Sequence, residues 1–168
     1  MQRRQQQSKN NRRSRGWLWA VIIVIVLVLG LVGYHLSHDV ASQVPGHVYQ
    51  YSSNKVKKSL YMTFATEGNH VVVTNNKSQA LKADQNSSQF DSVWTKQNKS
   101  NAGAWKYRAN GSKLTLAQIK PNNKVSQWQY NGVWATSHKV TSHSFTYQIA
   151  NAGQGQVRAK ITLDRIDK

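Results

Sequence analysis

The side chains able to do acid–base, nucleophilic or metal chemistry are few and scattered. With no cysteine in the chain, a thiolate nucleophile, a thiolate metal site, a disulfide framework and a lipid-modified cysteine anchor are all excluded. Catalysis by paired carboxylates needs two acids converging on one cleft. The acids are Asp39, Glu67, Asp84, Asp91, Asp164 and Asp167, of which only the tail pair are sequence neighbours. Asp91 fits the start of a helix, and Glu67, just before Gly68 and Asn69, fits a solvated turn. His138 and His143 are five apart, which on one strand points them to opposite faces. His70 opens an apolar run and His47 follows Pro45-Gly46, neither with a ligand-type residue two positions on. There is no G-x-S-x-G elbow or phosphate loop, and the Gly-Gln-Gly at 153 to 155 belongs to a hairpin. The expectation is a protein that is not an enzyme, with no catalytic residue, cofactor or metal.

Charge points instead to binding. Of the formal +17, six positive charges (Arg3, Arg4, Lys9, Arg12, Arg13 and Arg15) precede an apolar block, and the part beyond it keeps +11. Lys106, Arg108 and Lys113 project together from one expected hairpin, and Arg158 and Lys160 from another, each set opposite an apolar face. Such charges keep strand edges from pairing. With so few acids to neutralise them, they should also attract anionic polymers or lipid headgroups. Most aromatics should be core. Trp134 falls on the side opposite Trp128 and Tyr130, where an exposed ring could meet a sugar or a protein.

The elements that must position these groups begin with the apolar block. The 19 uncharged residues from Gly16 to Tyr34 would make a helix of roughly 28 Å, close to the hydrocarbon thickness of a bilayer. Trp17, Trp19 and Tyr34 stand where interfacial aromatics belong, and Gly30 and Gly33 are ordinary in membrane helices. The basic residues lie on the N-terminal side, whereas residues 35–50 hold one Asp and no Lys or Arg. The N-terminus is therefore expected in the cytoplasm and the C-terminal domain outside, in a single-pass cell-membrane protein. A cleaved signal peptide shares this polarity, but its apolar core runs about 7 to 15 residues and ends at a small-x-small site. Val40-Ala41-Ser42 imitates that site poorly, so the helix is expected to stay as a signal anchor. Beside it, the basic leader reads as topogenic and as attracted to lipid headgroups, not as a nucleic-acid arm. The expected divisions are a basic tail over 1–15, a transmembrane helix over 16–35, a stalk over 36–46 and a β domain over 47–168.

In that domain the apolar residues alternate. Leu60, Met62 and Phe64 share one face, and "HVVVT" from His70 reads as a buried strand. Asn110-Gly111, Asn131-Gly132 and the loop from Asn151 to Gly155 lie between alternating segments, the mark of hairpins. Closing them as turns sets Tyr107 against Leu114, Tyr130 against Val133 and Ile149 against Val157. One segment breaks period two: Phe90, Val93 and Trp94 are spaced for a short helix, capped by Ser88 with Asp91, that could plug the open end of a curled sheet. The expected fold is mainly β, an antiparallel barrel or sandwich of about eight or nine strands with one short helix. Asn76, Asn86 and Asn98 each open an Asn-x-Ser sequon, which turn formation also explains.

The stretch "GAWKYRANGSKLTL", residues 103–116, resembles the Gly-x-Trp, turn, Leu-x-Leu hairpin of small lipocalin-like extracytoplasmic domains of bacteria. Together with the anchor and the cysteine-free, Lys- and Asn-rich composition, it is similar in type to surface proteins of Gram-positive bacteria. The resemblance implies a barrel that could carry a small apolar ligand, lined by residues such as Tyr107, Leu114, Phe145 and Tyr147. The residues themselves point to a binding or adaptor module whose partners are the bilayer and an anionic cell-wall polymer or another membrane protein.

Overall fold

A computed structural model describes residues 10–37, 39–55, 59–150 and 152–167, with side chains left out at 10–19 and 35–37. The chain divides into two units, Met1–Leu36 and Ser37–Lys168. The first holds one helix, α1, Asn10–Ser37, 28 residues long and so roughly 42 Å from end to end. Every described large apolar side chain on it is exposed, up to 66 % at Leu31. Gly30 and Gly33 have no atom near the space a Cβ would fill. Among the described residues no helix is long and apolar enough to cross a membrane. The side chains described on α1 are those of 20–34, fewer than the roughly 20 residues a span requires. Arg3, Arg4 and Lys9, and the side chains of Arg12, Arg13, Arg15, Trp17 and Trp19, lie outside the described part.

The second unit is a nearly closed antiparallel barrel. Its strands are β1 (Val48–Ser53), β2 (Leu60–Phe64), β3 (Val71–Thr74), β4 (Ala104–Asn110), β5 (Lys113–Ile119), β6 (Val125–Asn131), β7 (Trp134–Ala135), β8 (Lys139–Ile149) and β9 (Gly153–Arg165). They run β3-β2-β1-β9-β8-β6-β5-β4 around the sheet, with β7 beside β8. Inward residues alternate as the sequence pattern requires. Phe64 packs edge-to-face on Tyr49 and Tyr107, and Leu114, Leu116, Ile161 and Leu163 fill the rest. Buried phenols find partners: Tyr49 donates to the Gln43 carbonyl at 2.6 Å, and burial pushes its pKa up to about 12. Tyr107 donates to the Ala65 carbonyl at 2.9 Å.

The region expected as a stalk is part of this unit. Helix α2, Val40–Gln43, is capped by Asp39, whose Oδ1 accepts from the Ala41 N–H at 3.0 Å. Val40 and Val44 are fully buried in the barrel core, and the Val40 N–H donates to the Gly111 carbonyl. Two apolar residues four apart in a polar stretch give no periodicity to detect. The barrel interior, a distant part of the chain, is what buries them.

Three turns differ from expectation. The Asn110 hairpin closes one residue later, pairing Asn110 with Lys113 and Tyr107 with Leu116. Gly111, at φ +53°, takes the first central position, as a type II′ turn requires. At Asn131-Gly132 there is no hairpin. The chain kinks there and β7 continues the line of β6 along β8, reversing instead over 136–139. The last hairpin is tighter than expected, with Ile149 opposite Gly153 and Phe145 opposite Val157. Tyr147 lies over Gly155, its ring within 3.0 Å of where a Cβ would sit. Inside and outside are unchanged by these shifts at the two outer hairpins, because the pairing moves by two residues at the first and by four at the last, both even numbers.

The predicted helix exists as α4, Ser87–Asn98, but its cap is Asn86, and a second helix, α3 (Lys77–Ala83), precedes it with Asn76 as cap. Two of the three sequon asparagines are thus helix caps. The pair lies on the outer face of β2 and β3, where Val72, Ala83, Phe90 and Val93 form a second cluster. It does not plug the barrel end. Among the described residues, the backbone pairing between the β3 and β4 edges is confined to the His70–Lys106 bridge and the Tyr107 N–H on the Asn69 carbonyl, 2.7 Å. Helix α4 bridges the remaining seam. The Gln97 carboxamide donates to the Val73 carbonyl at 2.8 Å and accepts from its N–H at 3.3 Å, as a neighbouring strand would. One turn earlier, Trp94 Nε1 donates to the Trp105 carbonyl at 3.1 Å.

Candidate functional site

The acids that look scattered in sequence are partly gathered. Glu67, Asp84 and Asp91 line a cleft of about 530 Å³ with His70, between the β2–β3 turn and the α3–α4 junction. Burial, helped by the Asp167 carboxylate, pushes the Asp84 pKa up. The His70 ring is stacked on Trp94 at 4.0 Å. Among the described residues, no three His, Asp or Glu are grouped so as to hold a metal. Asp167 is the structural acid. It takes Arg165 through both oxygens at 3.1 Å, the Val48 N–H at 3.1 Å and His47 Nδ1 at 2.9 Å. This ties the last strand to the first. Asp164 pairs with Lys139 at 3.2 Å, His138 lies in the turn before β8, and His143 sits at a β8 irregularity.

The barrel interior leaves a void of about 10 Å³ among Tyr51, Leu114, Leu116 and Tyr130, room for one water at most. Tyr107, Leu114 and Phe145 belong to that packing, whereas Tyr147 lies outside it and borders a depression at the β8–β9 end of the wall.

The outer face of β4, β5, β6, β8 and β9 is different. From 92 to 163 the sequence contains no acid, and this face falls in that interval except at the far end of β9, where Asp164 pairs with Lys139. Register sets its side chains in rows. Arg108 is followed across the strands by Thr115, Gln129, Thr146 and Gln156, and Lys106 by Ala117, Gln127, Gln148 and Gln154. Lys113, just before Leu114, stands level with Asn131, which pairs with Ser144 and then Arg158. Cations therefore flank the face on β4–β5 and β9, with carboxamides and hydroxyls between. Lys106, Arg108, Lys113, Arg158 and Lys160 form no ion pair with any described carboxylate. Gln127, Gln148 and Gln154 border an open depression of about 440 Å³ with Thr146, Tyr147 and Gly155. Trp134, 44 % exposed, borders the same face where β7 extends β6. Sequence reasoning found the cations as two separate sets and missed the amide rows between them. The long acid-free interval was the signal available.

No family model, no curated protein and no solved structure matches this chain.

Proposed function

We propose that this chain is a single-pass membrane protein with its basic leader in the cytoplasm, and that its extracytoplasmic barrel acts without catalysis by electrostatic contact with anionic cell-wall or membrane components. The anchor rests on the 19 uncharged residues from Gly16 to Tyr34 and on residues 20–34 of α1 being uncharged and exposed on every side, a pattern that suits lipid. The binding role rests on one observation: five cations on the part of this face between 104 and 160, a stretch without any acid, unpaired with any described carboxylate. The carrier role that the lipocalin-like resemblance implies has less support, because the void among Tyr51, Leu114, Leu116 and Tyr130 is about 10 Å³.

Two measurements test this. The absence of native cysteine allows clean labelling with a membrane-impermeant maleimide: Ser52→Cys should react in intact cells and Ser8→Cys only after permeabilisation. The opposite pattern would sink the topology. Purified anchored protein in zwitterionic nanodiscs should be retained on native cell envelope at low salt and released as salt rises through the screening range. Retention unaffected by salt would refute the electrostatic role.

A further inference from the structure

We propose that the outer face of β4, β5, β6, β8 and β9 binds a polyol phosphate chain, in which hydroxyl-bearing units carry regularly spaced anionic groups. The inference rests on the electrostatic reading above and adds a recognition element to it. A surface that only kept the protein soluble would carry charges of both signs. Here the middle of the face is neutral and polar. Gln127, Gln148 and Gln154 stand in register on three neighbouring strands, and none makes a side-chain hydrogen bond among the described residues, in contrast to Gln97 and Gln129. Each free carboxamide offers two donors and an acceptor, which suits vicinal hydroxyl groups. The depression of about 440 Å³ beside them is open and falls in the size range of small-ligand sites.

The flanking cations set the ligand's length. Arg108 and Arg158 are on strands four places apart in the sheet order, roughly 19 Å along the surface at 4.8 Å per strand. No single phosphate can reach both, and each guanidinium alone would hold an ion weakly. A chain that lies across the rows engages both flanks at once and gains from linked contacts. A flat bilayer is a poorer partner. It would touch a convex barrel wall along a line and cover carboxamides without supplying the hydroxyl partners that offset their desolvation.

The test uses the full chain in zwitterionic nanodiscs with three probes: poly(glycerol phosphate), inorganic polyphosphate of matched charge, and phosphatidylglycerol vesicles. Poly(glycerol phosphate) should bind most tightly. The triple variant Gln127→Leu, Gln148→Leu, Gln154→Leu, checked as folded by near-UV circular dichroism, should lose about tenfold or more on that polymer and keep its affinity for polyphosphate. Arg108→Gln with Arg158→Gln should weaken both polymers. Polyphosphate binding as tightly as the polyol polymer, or a triple variant with unchanged affinity, would overturn the amide recognition while leaving electrostatic contact standing. Preferential binding to the vesicles would replace the polymer with a membrane and overturn the inference. Failure of all three probes to bind would overturn both.

Discussion

The two halves of the barrel wall solve the same problem in opposite ways. On β2 and β3 the outward side is partly apolar: Val72 is buried against Phe90 and Val93, and the Thr63 hydroxyl donates to the Ala80 carbonyl at 2.8 Å. That side must be covered, and α3 and α4 cover it. On β4, β5, β6, β8 and β9 the outward side is mostly amide, hydroxyl and cation and needs no cover. The run Val71-Val72-Val73 reads as continuous because both its faces are buried, whereas the other half shows strict alternation. One half of the wall is structural on both sides. The other is structural inside and available outside.

Substitutions should separate the halves by size of effect. Phe64→Ala removes a ring 1 % exposed at the point where Tyr49 and Tyr107 meet, and should cost about 3–5 kcal/mol in chemical unfolding of the protein in detergent. A loss under about 1 kcal/mol would mean that the interior is loosely packed. Next comes the seam. Gln97→Ala strips both partners from Val73, which should cost about 1–3 kcal/mol and speed hydrogen exchange at the Val73 amide more than at Leu116. Equal exchange at both would show that the helix does not guard the strand edge.

A smaller effect is expected at the covered half's rim and should depend on pH. Burial alone would raise the Asp167 pKa, but hydrogen bonds from Arg165, His47 and the Val48 N–H outweigh it and bring the group below the ordinary carboxylate value. A depressed folded pKa gives stability that is complete above the unfolded value, about 3.9, and is lost as pH falls through the folded one. Asp167→Asn should therefore cost on the order of 1 kcal/mol at neutral pH, and the gap from the parent should shrink on acidification. Asp84 has the opposite sign: its pKa is raised, chiefly by burial, so ionisation opposes folding and Asp84→Asn should raise the neutral-pH Tm slightly. A gap for Asp167→Asn that is constant with pH would refute this assignment. Smallest of all, Gln129→Ala on the open face should change stability by no more than about 0.5 kcal/mol. A cost comparable with that of Gln97→Ala would erase the contrast between the halves.

Much of the barrel was legible because period two survives small errors. The expected partners of Tyr107 and Ile149 were off by two and four positions, yet both strands kept their inward sides, since only an odd slip inverts a strand. Asn131-Gly132 misled because its composition suits a turn, and the kink it makes serves strand continuity along β8 instead. Helix α3 was missed because Lys77–Ala83 has only Ala80 and Ala83 on its buried side, too little apolar surface to announce a period. For the candidate face, the cations were visible residue by residue. Their common plane was not, because it depends on β6 lying between β5 and β8, an order set by the absent hairpin at Gly132.

By itself the sequence determined the uncharged 19-residue block, the lack of thiol chemistry, the excess of positive charge and the alternation that makes the domain a β structure. These are properties of composition and local period, and they need no knowledge of what touches what. Only the tertiary structure decided that Val40 and Val44 belong to the core, that Gln97 stands in for a strand, that Asp167 joins the two ends of the domain, and that three glutamines line up on one surface. Each of these is a contact between segments far apart in the chain. Side-chain pattern specifies which face of a strand is buried, but strand order and register specify which distant residues share that face.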